Sequence, residues 1–386
     1  MKSRKFNDNW KEYVLYDLAN WKNGLAFNKI NFSEDGYPII KIAELKNGIT
    51  SQTNFTKDKC SEEVYLRKND LIFSWSGNPE TSIDAYLYDL PEGYLNQHSF
   101  KVTPHEFINK YFLFYVLKYL KPIFKKIASN KQTTGLGHIT ISDLKNLRIK
   151  IPTMEIQEKF LKIIKRIDDK IKLNNQTNDN LYELGDALYK EYYSKYENEL
   201  PNGYKYLDLN EVSVNFDSKR KPMSSREREQ HKGIYPYYGA TSIIDYVDDY
   251  IFDDTYLLMG EDGTVKTNEG YPVLQYIWEK SCINNHTHVL QGTIISTEHL
   301  MFALRKKNIE TLITGAVQPK INQENMNKIK IIIATDDINI KFEEQIKTIV
   351  DKIKFNSIEN ITLTQLRNTL LPKLMNGKID LNKIEV

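Results

Sequence analysis

The feature that most constrains this chain is that it repeats itself. Asp169-Lys170-Ile171-Lys172 recurs as Asp351-Lys352-Ile353-Lys354, an offset of about 182 residues, the length of one ordinary domain plus a linker. The same offset carries Leu144, Leu147, Ile149 and Ile151 onto Met326, Ile329, Ile331 and Ile333, and Phe160, Ile164 and Ile167 onto Phe342, Ile346 and Ile349. Leu181, Leu184 and Leu188 meet Leu363, Leu366 and Leu370. A register unbroken through a strand and a long helix is hard to obtain by chance. Upstream the offset drifts, as loop insertions make it: Gly36-Tyr37-Pro38 resembles Ile234-Tyr235-Pro236, Ser76-Gly77 resembles Asp262-Gly263, and Asn96-Gln97-His98 resembles Asn284-Asn285-His286. Helices and flanking strands are alike while the loops before them differ, which describes one frame carrying two different surfaces.

At 386 residues the chain is too long for a single core and suits two domains. Its 40% hydrophobic and 27% charged residues describe folded cores rather than a disordered tail. No apolar run approaches the roughly 20 residues of a membrane span, and Met1–Trp10 lacks a signal-peptide core. Cys60 and Cys282 stand in unrelated contexts without metal-ligand spacing and read as free thiols of a reducing compartment, so the expected location is the cytoplasm, with no membrane partner. A net charge of +2 neither demands nor excludes nucleic acid, because a DNA binder needs basic faces, not a basic total. The 25 tyrosines accompany abundant Asn, Lys and Ile, the signature of A/T-rich codons, and most read as packing residues.

In each half, short Ile/Tyr/Val/Phe runs alternate with Gly, Asn, Asp and Pro turns. Val64–Leu66, Asp70–Trp75, Phe100–Thr103, Thr255–Met259 and Thr287–Leu290 read as strands, and Asn109–Ile127 and Thr297–Leu312 as helices. Leu147–Ile151 and Ile329–Ile333 read as closing strands. Each precedes a long helix, the first from the Thr153–Glu155 region, with Thr153 as its cap, to about Tyr196. The second runs from about Asn339 to Leu371 or past Pro372, until Asn376-Gly377 stops it. Pro201-Asn202-Gly203 is the interdomain turn. The expected division is residues 1–152 for the first β-rich domain, 153–200 for the first long helix, 201–334 for the second domain, and 335–386 for the second long helix and tail.

Spacings of four then three residues give the first helix a seam of Phe160, Ile164, Ile167, Ile171, Asn174, Asn178, Leu181 and Leu188. Its repeat on the second is Phe342, Ile346, Ile349, Ile353, Asn356, Asn360, Leu363 and Leu370, with Gly185 and Arg367 as the shared irregular position. A lone surface helix of about 40 residues, on the order of 60 Å long, is unusual, so the seams are expected to face one another as an antiparallel coiled coil about a pseudo-twofold axis. Symmetry then sets Phe160 near Leu374, Ile164 near Leu370, Asn174 against Asn360 and Asn178 against Asn356. The four asparagines form one polar layer, which penalises slipped registers because a buried amide is unfavourable unless paired. The expectation is that this layer fixes how far apart the two domains are held.

The repeated β-rich domain, the long helix after each copy and Leu371-Pro372-Lys373-Leu374 near the end together resemble the specificity subunit of type I restriction–modification enzymes. Thr134-Gly135-Leu136-Gly137-His138-Ile139 leading into Leu144–Pro152, and Gln318-Pro319-Lys320-Ile321-Asn322 leading into Met326–Ile333, belong to the same likeness. So do Gly233–Ala240 (GIYPYYGA) and Asn284–Leu290 (NNHTHVL). The resemblance covers essentially the whole chain, departing at Ala334, where the first half has Pro152. It implies an α+β architecture of two mixed β-rich target-recognition domains, each reading one half of a split double-stranded DNA site. The helices would act as a ruler and as the dock for DNA methyltransferase subunits, and restriction/translocase subunits complete the assembly. S-adenosylmethionine, ATP and Mg would then be bound by those partners, leaving no cofactor and no catalysis in this chain.

The residues themselves agree with a non-catalytic reading. No GxxxxGK[ST] loop is present. Asn78-Pro79-Glu80 lacks the aromatic of an amino-methyltransferase NPPY motif and reads as a turn, and Glu261-Asp262-Gly263-Thr264-Val265-Lys266 reads as a hairpin rather than a nuclease site. His98 and His286 share a repeat position and read as loop braces. The expected DNA contacts in the first domain are Ser74, Trp75, Ser76 and Asn78 at a strand end, and the basic-polar stretch Lys125, Lys126, Lys131, Gln132, Thr133 and Thr134. In the second they are the dense cluster Lys219, Arg220, Lys221, Arg226 and Arg228, together with Gln318 and Lys320. Lysines there would neutralise phosphates, Gln132 would pair with an adenine edge or the backbone, and an arginine would take guanine bidentately. A methyltransferase or nuclease fragment with its own site, and a coiled-coil scaffold without DNA contact, are the competing readings.

Overall fold

The computed structural model describes residues 10–28, 31–132, 135–315 and 318–381. They form two compact units, one of residues 10–171 with 361–381, the other of residues 172–360. Among them, no helix is long and apolar enough to cross a membrane.

The repeat continues into the topology. In the first domain an antiparallel sheet runs in the order Ala19–Asn23, Ser99–Pro104, Leu71–Ser74, Asp84–Leu87. The second domain has the same order with Ser213–Asn215, Thr287–Gly292, Tyr256–Gly260 and Leu274–Ile277. A smaller sheet in each contains one parallel contact, Tyr37–Ile40 on Gly93–Leu95 in the first and Lys232–Tyr238 on Cys282–Ile283 in the second. Each domain closes on a two-stranded ladder, Trp10–Val14 with Arg148–Pro152 and Lys205–Asp208 with Lys330–Ile333.

A helix packs on each main sheet. Asn109 caps Lys110–Asn130, its side chain accepting from the Tyr111 N–H at 2.9 Å, and the helix buries Phe112, Leu113, Val116, Leu117, Leu120 and Phe124. Each such side chain stabilises by about 1.5–3 kcal/mol on burial. Its counterpart is shorter than the spacing predicts: Thr297–Arg305 is helical and Glu310–Leu312 is a separate 3-10 turn. The chain leaves the helix because the Ile309 N–H is drawn to the Gly270 carbonyl at 3.0 Å.

The long helices are Met154–Tyr192 and Asp336–Met375. The first ends before the expected Tyr196, which falls in a 3-10 turn, Ser194–Tyr196. The second starts three residues before the expected Asn339. There the Thr335 carbonyl accepts from Ile338 and Asn339, and the Asn339 amide reaches back to the Ala334 carbonyl at 3.0 Å. Gln157 does the same in the first half, donating to the Pro152 carbonyl at 2.9 Å, so both helices start with the same side-chain bond whether the strand ends in proline or in Ala334. After Pro372 the helix stops where the Gly377 N–H donates to Leu374 and that of Lys378 to Lys373.

Both long helices contribute to each core. In the first unit Phe160, Leu161 and Ile164 share a cluster with Leu374 and Met375. In the second, Tyr189 and Tyr193 share one with Phe342, Ile346, Ile349, Val350 and Ile353. Gly185 is explained by this packing, because a Cβ there would lie 2.2 Å from a ring carbon of Phe302. Its counterpart Arg367 pairs with Asp168 at 2.7 Å in the first unit.

Within the second unit the helix segments run antiparallel through an asparagine layer. Asn174 Nδ2 donates to Asn360 Oδ1 at 2.9 Å and to Glu359 at 2.7 Å, and Asn356 Nδ2 donates to Asn178 Oδ1 at 2.8 Å. Asn360 Nδ2 donates in turn to Asn175, and Asn178 to Ser357 at 3.3 Å. Asn174, Asn178 and Asn356 are buried and Asn360 is half-buried. The amide pairs are those that symmetric antiparallel pairing requires.

Candidate nucleic-acid interface

In each domain three loops meet at the end of the main sheet, and backbone hydrogen bonds join them identically. In the first, the Trp75 N–H donates to the His98 carbonyl and the Trp75 carbonyl accepts from Ile139 at 2.8 Å. In the second, the Glu261 N–H donates to the His286 carbonyl and the Glu261 carbonyl accepts from Ile321, both at 2.9 Å. A short pairing fastens the third loop to the first, Gly77 and Ser76 to Gly137 and His138 in one domain, Asp262 to Lys320 in the other. The turn needs glycine in both, with φ of 122° at Gly77 and 78° at Gly263, a region costly for residues with a Cβ. Polar loop tips held by backbone bonds on a rigid sheet are the construction expected of a groove-reading surface.

What fills the frame differs between the domains. In the first it is neutral: the Trp75 ring lies 5.7 Å from that of Phe100, and its N–H donates to Asn23 Oδ1 at 2.9 Å. In the second, Glu261 stands in place of Trp75, His288 in place of Phe100, and Asp217 in place of Asn23 along the paired strands. His288 is buried, with Nδ1 2.6 Å from Asp217 and Nε2 2.9 Å from the Ile321 carbonyl. Arg220 joins Asp217 to Glu261, with Nη1 2.5 Å from Glu261 and 2.9 Å from the Thr287 carbonyl. Lys320 completes the network at 3.1 Å from Glu261. Burial opposes ionisation of both carboxyls, but His288 at Asp217, and Arg220 and Lys320 at Glu261, outweigh it and hold both below the usual carboxylate range.

Asp217, Glu261 and His288 are also the one group of metal-ligand type among the described residues. The Arg220 guanidinium, bonded to Glu261, already supplies the cation that these carboxylates call for. Asp262 is held by His286 at 2.5 Å, the bracing role expected of that histidine.

The geometry sorts the candidate DNA contacts. Ser74 is withdrawn: it is buried and its hydroxyl donates to the Ser82 carbonyl at 2.6 Å. Arg220 is likewise internal, as is Arg228, which bonds Asp245, Met223 and Ser225 and stacks 5.4 Å from the Tyr237 ring. Both are half-buried cations whose guanidinium groups are already engaged by protein partners. Trp75 and Ser76 are half-buried members of the frame. Lys125, Lys131 and Lys320 face solvent in ion pairs with Glu80, Asp143 and Glu261. Asn78, Lys126, Gln132, Lys219, Lys221, Arg226 and Gln318 are exposed, the Asn78 side-chain carbonyl closing the turn by accepting from Glu80 and Thr81. Thr133 and Thr134 lie outside the described residues.

The frame brings forward residues that the sequence did not single out as DNA contacts: Gln97, His98 and His138 in the first domain, Asn285 and His286 in the second. The signal was present in the matched Asn-Gln-His and Asn-Asn-His triplets, but nothing in one strand of letters says that these triplets sit beside the glycine turns.

Two domains built on one topology, with unlike surfaces on matching frames, define a repeated recognition protein. The chain belongs to the family described as "Type I restriction modification DNA specificity domain", whose model matches residues 7–183 and again 201–368. It is similar to the type I restriction enzyme HindI specificity subunit of Haemophilus influenzae, at 24% identity over 96% of this chain and 99% of that one. A putative type I restriction enzyme MjaX specificity subunit of Methanocaldococcus jannaschii is 23% identical, covering 96% and 94%. Among solved structures, the S subunit of a type I restriction–modification system from M. genitalium superposes with a TM-score of 0.54 at 19% identity, covering 96% and 98%, a likeness of fold.

Proposed function

We propose that this chain is the DNA-reading subunit of a type I restriction–modification assembly, each three-loop surface reading one half of a split double-stranded site. The observation that carries this reading is the duplicated backbone frame with unlike side chains: one geometry presented twice, with two chemistries. Phosphate contacts fall to exposed cations such as Lys126, Lys219, Lys221 and Arg226, and base contacts to the polar tips, Gln97, His98, Gln132 and His138 in one domain and Asn285, His286 and Gln318 in the other. The asparagine layer sets the register of the long helices and with it the unread gap. Methyltransferase subunits dock on those helices, restriction/translocase subunits join them in the cytoplasm, and S-adenosylmethionine, ATP and Mg are bound by those partners.

The test is a map of methylated bases in cells carrying the methyltransferase subunit with and without this chain. The expected result is a bipartite motif with one fixed gap that disappears without the chain, while the purified chain binds DNA and neither methylates nor cuts it. Methyl transfer by the chain alone, or an undivided motif, overturns the reading.

A further inference from the structure

The second domain spends four charged side chains and a buried histidine where the first uses Trp75, Phe100 and Asn23, and that contrast has a functional consequence. Loops on a sheet end are among the least stable parts of a domain, so whatever ties them sets how sharply they present a surface. The ties in the second domain come from four separate segments. Asp217 and Arg220 lie after the strand Ser213–Asn215, Glu261 follows Tyr256–Gly260, His288 is in Thr287–Gly292, and Lys320 is in the third loop. Arg220 also donates to the Asn285 carbonyl at 3.3 Å, directly beneath the exposed Asn285 and His286 tip. Glu261 is the hub, since one oxygen takes Arg220 and the other takes Lys320.

We propose that Asp217, Arg220, Glu261, His288 and Lys320 are positioning residues for the second half-site: they touch no base, but the network fixes the three loops that do. This rests on the reading above, in which each domain reads one half. Because charged networks act as a unit, neutralising the hub leaves the half-buried Arg220 with Asp217 as its carboxylate partner and releases the exposed Lys320 to pair elsewhere. Among the described residues the frame of the first domain has no such hub, and it answers to the volume of Trp75 instead. Fidelity at the two half-sites is therefore separable by two different kinds of substitution.

The experiment is the methylation map of the complete assembly carrying Glu261→Gln, Lys320→Gln or Trp75→Leu, beside the unchanged chain. Glu261→Gln keeps the shape of the side chain and removes its charge. Lys320→Gln touches a cation that is half exposed, so it tests the network even where the hub variant fails to fold. The expected result is that both relax the same half of the motif, with methylation at correct sites falling on the order of tenfold, the scale of one wrong base pair. Trp75→Leu relaxes the other half, and the gap is unchanged in all three. Relaxation of both halves together by the charge variants, or a motif untouched by Lys320→Gln, overturns the proposal. A motif that is not bipartite in the unchanged assembly refutes the two-domain reading instead and is recognisable as such.

Discussion

Asn178 and Asn356 offer a sharp test of what the asparagine layer does. Asn356 Nδ2 donates to Asn178 Oδ1 at 2.8 Å with both residues buried. Asn356→Leu leaves the Asn178 oxygen without that donor, and Asn178→Leu leaves the Asn356 amide without its acceptor. An orphaned buried polar group costs about 1–3 kcal/mol, so each single variant should be destabilised by about 2 kcal/mol, lowering the melting temperature by roughly 4–8 °C in a domain of this size. Replacing both with Leu removes the orphan and puts apolar groups together, which is near neutral or stabilising. The double variant should therefore melt close to the unchanged chain, giving a coupling energy of about 4 kcal/mol of opposite sign to the two losses. Thermal melts followed by circular dichroism measure it, with the four variants compared under one buffer. A double variant that loses the sum of the single losses refutes the reasoning, because the amides would then be acting through other partners. If the layer also enforces register, the assembly carrying the stable double variant should methylate sites with more than one gap length.

Three further outcomes follow from the geometry. Gly185→Ala puts a Cβ 2.2 Å from the buried Phe302 ring, and the overpacking, about 1–3 kcal/mol, exceeds the helix gain of about 1 kcal/mol; the melting temperature should fall and Phe302→Leu should restore part of it. Asp217 and Glu261 titrate below the usual range in the folded chain, so their contribution is whole above the ordinary carboxylate pKa of about 4 and is lost as pH falls through the lower folded values. Amide exchange in Thr287–Gly292 should accelerate as pH falls into that range, after correction for intrinsic rates, and Glu261→Gln should flatten the response. Replacing Lys219, Lys221 and Arg226 together with Gln should weaken DNA binding and reduce its salt dependence, by up to about 0.9 in log–log slope for each phosphate no longer neutralised; unchanged affinity and slope would favour a scaffold without DNA contact.

The helices and closing strands were readable from the letters because burial imposes a period on them. Phe160 to Leu188 and Phe342 to Leu370 announce a seam, and the seam's symmetry was enough to pair Asn174 with Asn360. The caps were partly readable: Gln157 and Asn339 occupy one repeat position, but that both bond back to the closing strand depends on a turn geometry that spacing does not encode. The interface was the least legible. Charge density picked out Arg220 and Arg228, yet each side chain is consumed by neighbours distant in sequence, Glu261 and Asp245 among them. A cluster of basic letters cannot distinguish a cation held for a phosphate from one held for a buried carboxylate. His288 does not stand out beside His286 in the letters. The strand begins at Thr287, so one histidine lies in a loop and the other inside the sheet, a boundary that shows only once the pairing is known.

The three loops of each domain are tied to one another through main-chain N–H and C=O groups, which every residue but proline supplies alike. An exposed tip side chain such as Asn285 therefore carries little of the burden of folding, and on the proposed reading a substitution there should change what is presented without changing how it is held. A protein built this way can acquire a new preference by ordinary point mutation, one domain at a time, while the other goes on as before. What endures is the blank between the letters: an alphabet holder in which either character can be recast.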